Sequence, residues 1–387
     1  MGDPITRQDP VAPPPEQRTG GAPTVGSSNR IHGYDFARAL AILGMMIVHF
    51  ALVMSIQSLR PTWLAQFVNF FDGRAAATFV LLAGAGLALR STHAISQDNS
   101  RGLSKTKRIL FKRGVFLLVI GFINLIIWPG DILRVYGISI CLAVWLLRAS
   151  NRWLWLISFS FILGFVVLIC AVDYEKNWDW RTLTYHNLWT PMGLVRNLFY
   201  DGFRSVFPWS GLLFIGMWLG RQDLKNPKVS MRLLVCSAGA ALLSGISSRW
   251  LLFHFRKYPS GMDPETITAL FGTDSIPPLP LFMMSATGVA VAVIALSHLF
   301  CERFPSNFLV RLLVPTGQMA FTWYVGHIII GLGGISLIGL TERQPLPLAI
   351  GCAFGFFALA VTLSCLWKNK LKFKHGPLEW LMRRWTG

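Results

Sequence analysis

Residues 38–49 read Arg38-Ala39-Leu40-Ala41-Ile42-Leu43-Gly44-Met45-Met46-Ile47-Val48-His49, inside an apolar stretch running from Tyr34 to Met54. That stretch is long enough to cross a bilayer as one helix. Ionisable side chains within such a segment are costly and face a protein interior or a wet cavity. An offset of eleven is close to three helical turns, so Arg38 and His49 share one face, about 16 Å apart. Asp35 stands one turn before Arg38 and can pair with it. The stripe is the strongest functional lead in the chain.

Similar apolar runs recur along almost the whole sequence. Of 387 residues, 53% are hydrophobic and 14% charged, and the mean hydropathy is +0.49. A soluble protein carries nearly twice that charged fraction. The expected fold is therefore all-α, a polytopic transmembrane helical bundle of about ten spans. They fall at 34–55, 65–89, 109–128, 131–148, 153–172, 206–220, 231–253, 281–300, 316–340 and 347–367. Gly317, Gly331, Gly333 and Gly334 mark the ninth as the span that bends or breaks.

A net charge of +18 would suit a nucleic-acid binder, but the basic residues cluster in short loops between apolar runs. That distribution is a topology signal, and no nucleic-acid partner is expected. The stretch 90–113 holds seven Lys/Arg against one acid. The loops at 148–152 and 221–232 and the tail at 368–387 are basic too. Counting spans puts all of these on one side, so both termini are expected in the cytoplasm of a multi-pass inner (plasma) membrane protein. On the opposite side, the 173–205 loop carries four acids, four bases, Trp178, Trp180, Tyr185 and Trp189. It reads as an ordered extracytoplasmic cap with an interfacial helix around Thr190–Tyr200.

Three regions follow. Residues 1–29, rich in Pro, Gly, Ser and Thr, read as a disordered cytoplasmic tail without a signal-peptide core. Residues 30–367 form the membrane domain. Residues 368–387, with Glu379, Trp380 and Trp385, read as a basic amphipathic tail on the inner leaflet. All six cysteines fall in or beside apolar runs without paired spacing, as small buried residues do. There is no phosphate-binding loop, dinucleotide fingerprint or metal-spaced His/Cys cluster, so no metal or prosthetic group is expected.

Given this orientation, Asp35 and Arg38 lie near the cytoplasmic mouth. His49, Asp72, Arg74 and Asp131 fall at the outer level. Small residues in the second span (Ala75, Ala76, Ala77, Gly84, Gly86) permit close helix packing, which would draw Asp72 and Arg74 towards His49. Plainer readings stay open beside these. Arg38 with Asp35 fits an interfacial anchor, His49 a satisfied core histidine, and Asp72 and Asp131 fit helix caps. His327, mid-span, fits packing and site lining equally.

Four short runs share one resemblance. The Arg38–His49 spacing resembles the signature of the integral-membrane type 3 acyltransferases. The chain resembles more closely the YeiB-like bacterial membrane proteins and, more remotely, the heparan-α-glucosaminide N-acetyltransferases. Phe71-Asp72-Gly73-Arg74 precedes the small-residue helix. Trp128-Pro129-Gly130-Asp131-Ile132-Leu133, followed by Tyr136, resembles the YeiB-like Gly-Asp-Ile-Leu motif. Gly317-Gln318-Met319-Ala320-Phe321-Thr322-Trp323-Tyr324 and Gly376-Pro377-Leu378-Glu379-Trp380 resemble its later runs. Three positions depart: Gln318 replaces an arginine, His327 a glutamine, and Asn124 a histidine.

The resemblance implies acyl transfer. An acyl group, acetyl first among candidates, would pass from cytoplasmic acyl-CoA as co-substrate to an extracytoplasmic small-molecule or glycan acceptor of the cell envelope. It implies His49 as general base, with Asp72 or Asp131 fixing its tautomer. Arg38 would bind the donor's phosphates or pantetheine arm, together with Asp35, Arg74, Gln318, Tyr324 and His327. Membrane lipids are the surrounding partner, and the bundle leaves room for a homo-oligomer. The competing reading is a proton-coupled transporter or flippase that uses Asp35, Arg38, His49 and His327 as a path. No inverted repeat supports it. A scaffold without chemistry would leave the stripe purposeless.

Overall fold

A computed structural model describes residues 31–56, 61–96, 100–180, 182–258 and 261–387. The tail expected at 1–29 lies outside the described residues. Helix α1 spans His32–Met54. The run expected as one span at 65–89 is broken: α2 (Thr62–Phe71) stops and α3 (Arg74–Ser96) starts across Asp72-Gly73. Asp72 ends α2 in an extended conformation, and Gly73 turns the chain at φ +66°, where a side chain would be strained. Helix α4 (Ser100–Leu125) carries the basic cluster in its first half. Helix α5 (Leu133–Leu146) follows a turn, and α6 (Asn151–Ala171) is capped by the Ser150 hydroxyl, which accepts the Trp153 N–H.

The connection at 173–205 is ordered. Strand β1 (Trp178–Asp179) pairs antiparallel with β2 (Thr184–Tyr185), setting Trp178 opposite Tyr185. Helix α7 (Pro191–Arg196), capped by Thr190, runs into a π-helical turn over Asn197–Asp201. Trp178 Nε1 donates to the Asp201 carbonyl at 2.6 Å, and the Tyr185 hydroxyl donates to the Asp201 carboxylate at 2.7 Å. These two bonds tie the hairpin to the turn.

Helices α8 (Val206–Leu219), α9 (Pro227–Lys257), α10 (Pro264–Phe271) and α11 (Pro280–Arg303) follow. Asn226 and Asp263 cap α9 and α10, each just before a proline that the first turn tolerates. The glycine-rich stretch at 316–340 is interrupted, as its composition suggests. Helix α12 (Phe308–Gln318) ends at Met319, and α13 (Ala320–Gly326) enters a π-helical turn at His327–Leu332. Helix α14 (Gly333–Leu337) continues from there. Helix α15 (Leu346–Cys365) and the amphipathic α16 (Pro377–Thr386) complete the chain.

Among the described residues, seven helical runs are long and apolar enough to cross a bilayer: α1, α2 with α3, α6, α9, α11, α13 with α14, and α15 with its π-helical extension. Helices α5 and α8 are shorter and apolar. Helix α1 is central, packed against α3, α11, α12 and α15. Lipid tails are as apolar as leucine, so close backbone approach and interhelical hydrogen bonds hold such a bundle. Helices α3 and α8 show the first device. A Cβ on Gly84 would lie 2.0 Å from the Leu213 carbonyl, and one on Gly216 2.2 Å from that of Leu81. Helix α9 shows the second. Its buried serines line one face, where Ser244 donates to the Leu281 carbonyl and Ser248 to that of Phe271, each at 2.6 Å. The outer faces of α6 and α9 expose Trp153, Phe159, Leu163, Leu242, Ile246 and Phe253. Such faces suit hydrocarbon.

Candidate functional site

Helix α1 carries the two ends of the site. At one end, Arg38 Nη1 donates to Asp35 Oδ1 at 2.6 Å; Asp35 is buried and the Arg38 side chain is 25% exposed. The guanidinium reaches α3, where a Cβ on Gly86 would meet Nη2 at 3.7 Å. Gln318 belongs to this end, because the neighbouring Gly317 lies against the Asp35 carbonyl. It is half-buried at the end of α12.

At the other end, His49 Nδ1 lies 2.9 Å from His327 Nε2. The rings stack with centroids 5.1 Å apart, and the Trp128 indole flanks His49 at 4.8 Å. His327 Nδ1 lies 3.0 Å from the Trp323 carbonyl one turn earlier. His49 is half-buried and His327 fully buried. His327 opens the π-helical turn of the interrupted span, and such turns recur at functional sites. Its two flanking segments carry the backbone past α1 from the Arg38 end to the His49 end.

The carboxylates sought as partners for His49 are engaged elsewhere. Asp131 is buried: Oδ1 accepts from Asn124 Nδ2 at 2.7 Å and from the Tyr324 hydroxyl at 3.3 Å, and Oδ2 accepts the Arg134 N–H at 3.1 Å. The Tyr324 oxygen in turn accepts the Ile132 N–H. Asp131 thus ties the start of α5 to α4 and α13. Arg134, wholly buried, donates Nη1 to Asn197 Oδ1 at 2.8 Å and links this knot to the loop at 173–205. Tyr324 touches the histidine pair through its ring, edge-on to His327 at 5.6 Å.

Asp72 accepts from Ser275 Oγ at 2.7 Å and from Arg204 Nη2 at 3.4 Å. Arg74 donates to Ser285 Oγ and to the Thr273 and Asn69 carbonyls. Both residues therefore fasten the α2–α3 turn to α11 and the segment before it. The side chain that meets His49 is thus His327, while the Asp72 and Asp131 carboxylates proposed from sequence are taken up by cap and loop contacts.

Sequence reasoning missed two residues. Arg204 is buried over the Trp209 ring at 4.8 Å and lies within electrostatic reach of His49. Its run Asp201-Gly202-Phe203-Arg204 echoes Asp72-Gly73-Arg74, a visible signal that went unread. Glu379, read as part of a surface tail, instead caps α13. Oε1 accepts the Phe321 and Thr322 N–H groups at 2.8 and 3.1 Å, and Oε2 accepts from the Thr322 hydroxyl at 2.5 Å.

Residues 30–259 match the family model of the heparan-alpha-glucosaminide N-acetyltransferase catalytic domain. The chain belongs to that family. Residues 278–387 match a second model, described as a protein of unknown function, DUF418, and the pair marks the chain as YeiB-like. No curated protein matches the chain. His49 lies in the first matched region and His327 in the second, so the two meet at the histidine pair. Family membership makes this a membrane protein of acetyltransferase-like type.

Proposed function

We propose that the chain is a membrane-embedded acyltransferase that moves an acyl group, acetyl first among candidates, from acyl-CoA on the cytoplasmic side to an extracytoplasmic acceptor such as a cell-envelope glycan. The observation that carries the reading is the alignment of Arg38 and His49 on one face of the central helix, with His49 locked to His327. Ten spans with both termini in the cytoplasm belong to the proposal, and so does the plasma membrane as its location. They place Arg38 at the donor's entry and His49 towards the acceptor.

Arg38 is suited to phosphate because its guanidinium is permanently charged and forked, and Asp35 holds it in place. About 16 Å along α1 separates it from His49, roughly the reach of a pantetheine arm. At the far end, the His49 imidazole takes the proton from an acceptor hydroxyl or amine. The freed oxygen or nitrogen adds to the thioester carbonyl, whose oxygen takes up the electron pair as a tetrahedral oxyanion. Collapse of that oxyanion re-forms the carbonyl and breaks the C–S bond. His49 then returns its proton to the departing thiolate. Arg204 supplies positive charge near the developing oxyanion.

Binding and hydrolysis of labelled acetyl-CoA by purified protein test this. Arg38→Ala should lose binding, whereas His49→Ala should keep it and lose turnover by about 10²–10⁴-fold. Wild type that neither binds nor slowly hydrolyses the thioester would sink the reading. Proton-dependent flux without thioester cleavage would favour a transporter instead.

A further inference from the structure

The Trp323 carbonyl can only accept a hydrogen bond, so His327 Nδ1, 3.0 Å away, carries the proton. A neutral His327 then has a lone pair on Nε2 and nothing to donate there. His49 Nδ1, 2.9 Å from that lone pair, must therefore be the donor. The one nitrogen of the pair left with a free lone pair is His49 Nε2. We infer that His327 is a positioning residue, held by the Trp323 carbonyl, that fixes His49 in its Nδ1–H form and makes Nε2 the base.

Burial orders the two rings in the same way. His327 is wholly enclosed, while His49 keeps accessible surface, so an acceptor reaches His49 and not its partner. The backbone supports the assignment as well. His327 sits four residues after Trp323, where the side chain can reach its own helix's carbonyl, and its ring is braced edge-on by Tyr324. When Nε2 takes a proton, the Nδ1–H bond to His327 becomes charge-assisted and strengthens in the charged state. The partner is neutral, so the dyad rests at zero charge in a low-dielectric interior. A carboxylate in its place would leave a buried charge between turnovers. Other charged or titratable groups facing the pair are Arg204 from the outer loop and the Tyr324 hydroxyl, which is bound to Asp131.

The kinetic consequence rests on the acyltransferase reading, but the tautomer does not. Nitrogen-15 NMR of labelled imidazoles in wild type should show both His49 and His327 in the Nδ1–H form, although a free imidazole favours Nε2–H. In His327→Phe the His49 signal should move towards Nε2–H, while His327→Gln, whose amide oxygen can accept, should hold it. Acetyl-CoA hydrolysis should follow: kcat down about 10²–10⁴-fold in His327→Phe with KM for acetyl-CoA little changed. His327→Gln should recover most of that loss. An Nε2–H signal for His49 in wild type overturns the inference. Equal kcat losses in Phe and Gln variants that both fold also overturn it. Wild type inactive on the thioester, with the tautomers as stated, would remove the proposed function and leave the positioning role standing.

Discussion

At the scale of single residues, the buried knot around Asp131 separates structure from chemistry. The Asp131 carboxylate serves Asn124, Tyr324 and the Arg134 backbone, while the wholly buried guanidinium of Arg134 faces it at 3.9 Å. Removing one partner of a buried ion pair leaves an uncompensated charge. Asp131→Ala should therefore destabilise by about 3–5 kcal/mol, read as a lower denaturation midpoint in detergent. Asp131→Asn keeps an oxygen for the capping bond and should lose less. A catalytic Asp131 predicts the reverse pattern, with folding intact and turnover gone. Asn124 donates into the same knot, so its side chain serves the Asp131 carboxylate rather than His49.

At the scale of elements, helix α13 is short, interrupted at both ends, and carries His327 at its exit. Its first N–H groups would lack partners but for Glu379, whose carboxylate reaches them across 58 residues of sequence. Glu379→Ala should cost about 1–2 kcal/mol and lower turnover by loosening the His49–His327 contact, while Glu379→Gln should fall between. Paired stability and turnover measurements check this; turnover unchanged despite the stability loss would show that the cap does not reach the pair. A second expectation concerns the α3–α8 crossing. Gly84→Val should force the helices apart and reduce folded yield in size-exclusion profiles. Close packing of α3 was legible in sequence from Ala75–Ala77 and Gly84, but its partner was not. The small face meets α8 at Gly84, while Asp72 and Arg74 are fastened to the segment around the start of α11 and not to His49. The Glu379 cap was not legible, because amphipathic periodicity reports which face is apolar and says nothing of a polar partner supplied by another helix. The Asp72-Gly73 break was hidden for a similar reason: apolar runs 62–71 and 74–92 read as continuous hydropathy.

At the scale of the whole molecule, the helical class and the long apolar runs follow from composition, and helix occupies most of each expected stretch. The site was legible only in part. The stripe on α1 has a helical period, whereas His327 lies 278 residues from His49 and no local pattern joins them. Orientation is open to a direct check. In a variant lacking the six native cysteines, Thr182→Cys in the hairpin should label from outside intact cells, and Lys374→Cys only after permeabilisation. The opposite pattern would reverse the proposed direction of transfer. The hairpin loop also has a pH limit. Burial, with Asp201 opposing ionisation, pushes the Tyr185 hydroxyl up to about 12. Its neutral form is the one the fold favours, so its stabilising contribution is full below the ordinary value near ~10 and is lost as pH rises through about 12. Tryptophan emission from Trp178 and Trp180 should shift across that window in wild type and not in Tyr185→Phe. Trp128, the indole against His49, offers an optical witness to the chemistry itself. A proton arriving on the imidazole sets a cation beside that ring and should dim its emission. Subtracting the Trp128→Phe spectrum isolates this signal from the other fourteen of the chain's fifteen tryptophans. The charge state of the proposed base could then be followed through a turnover without any added label.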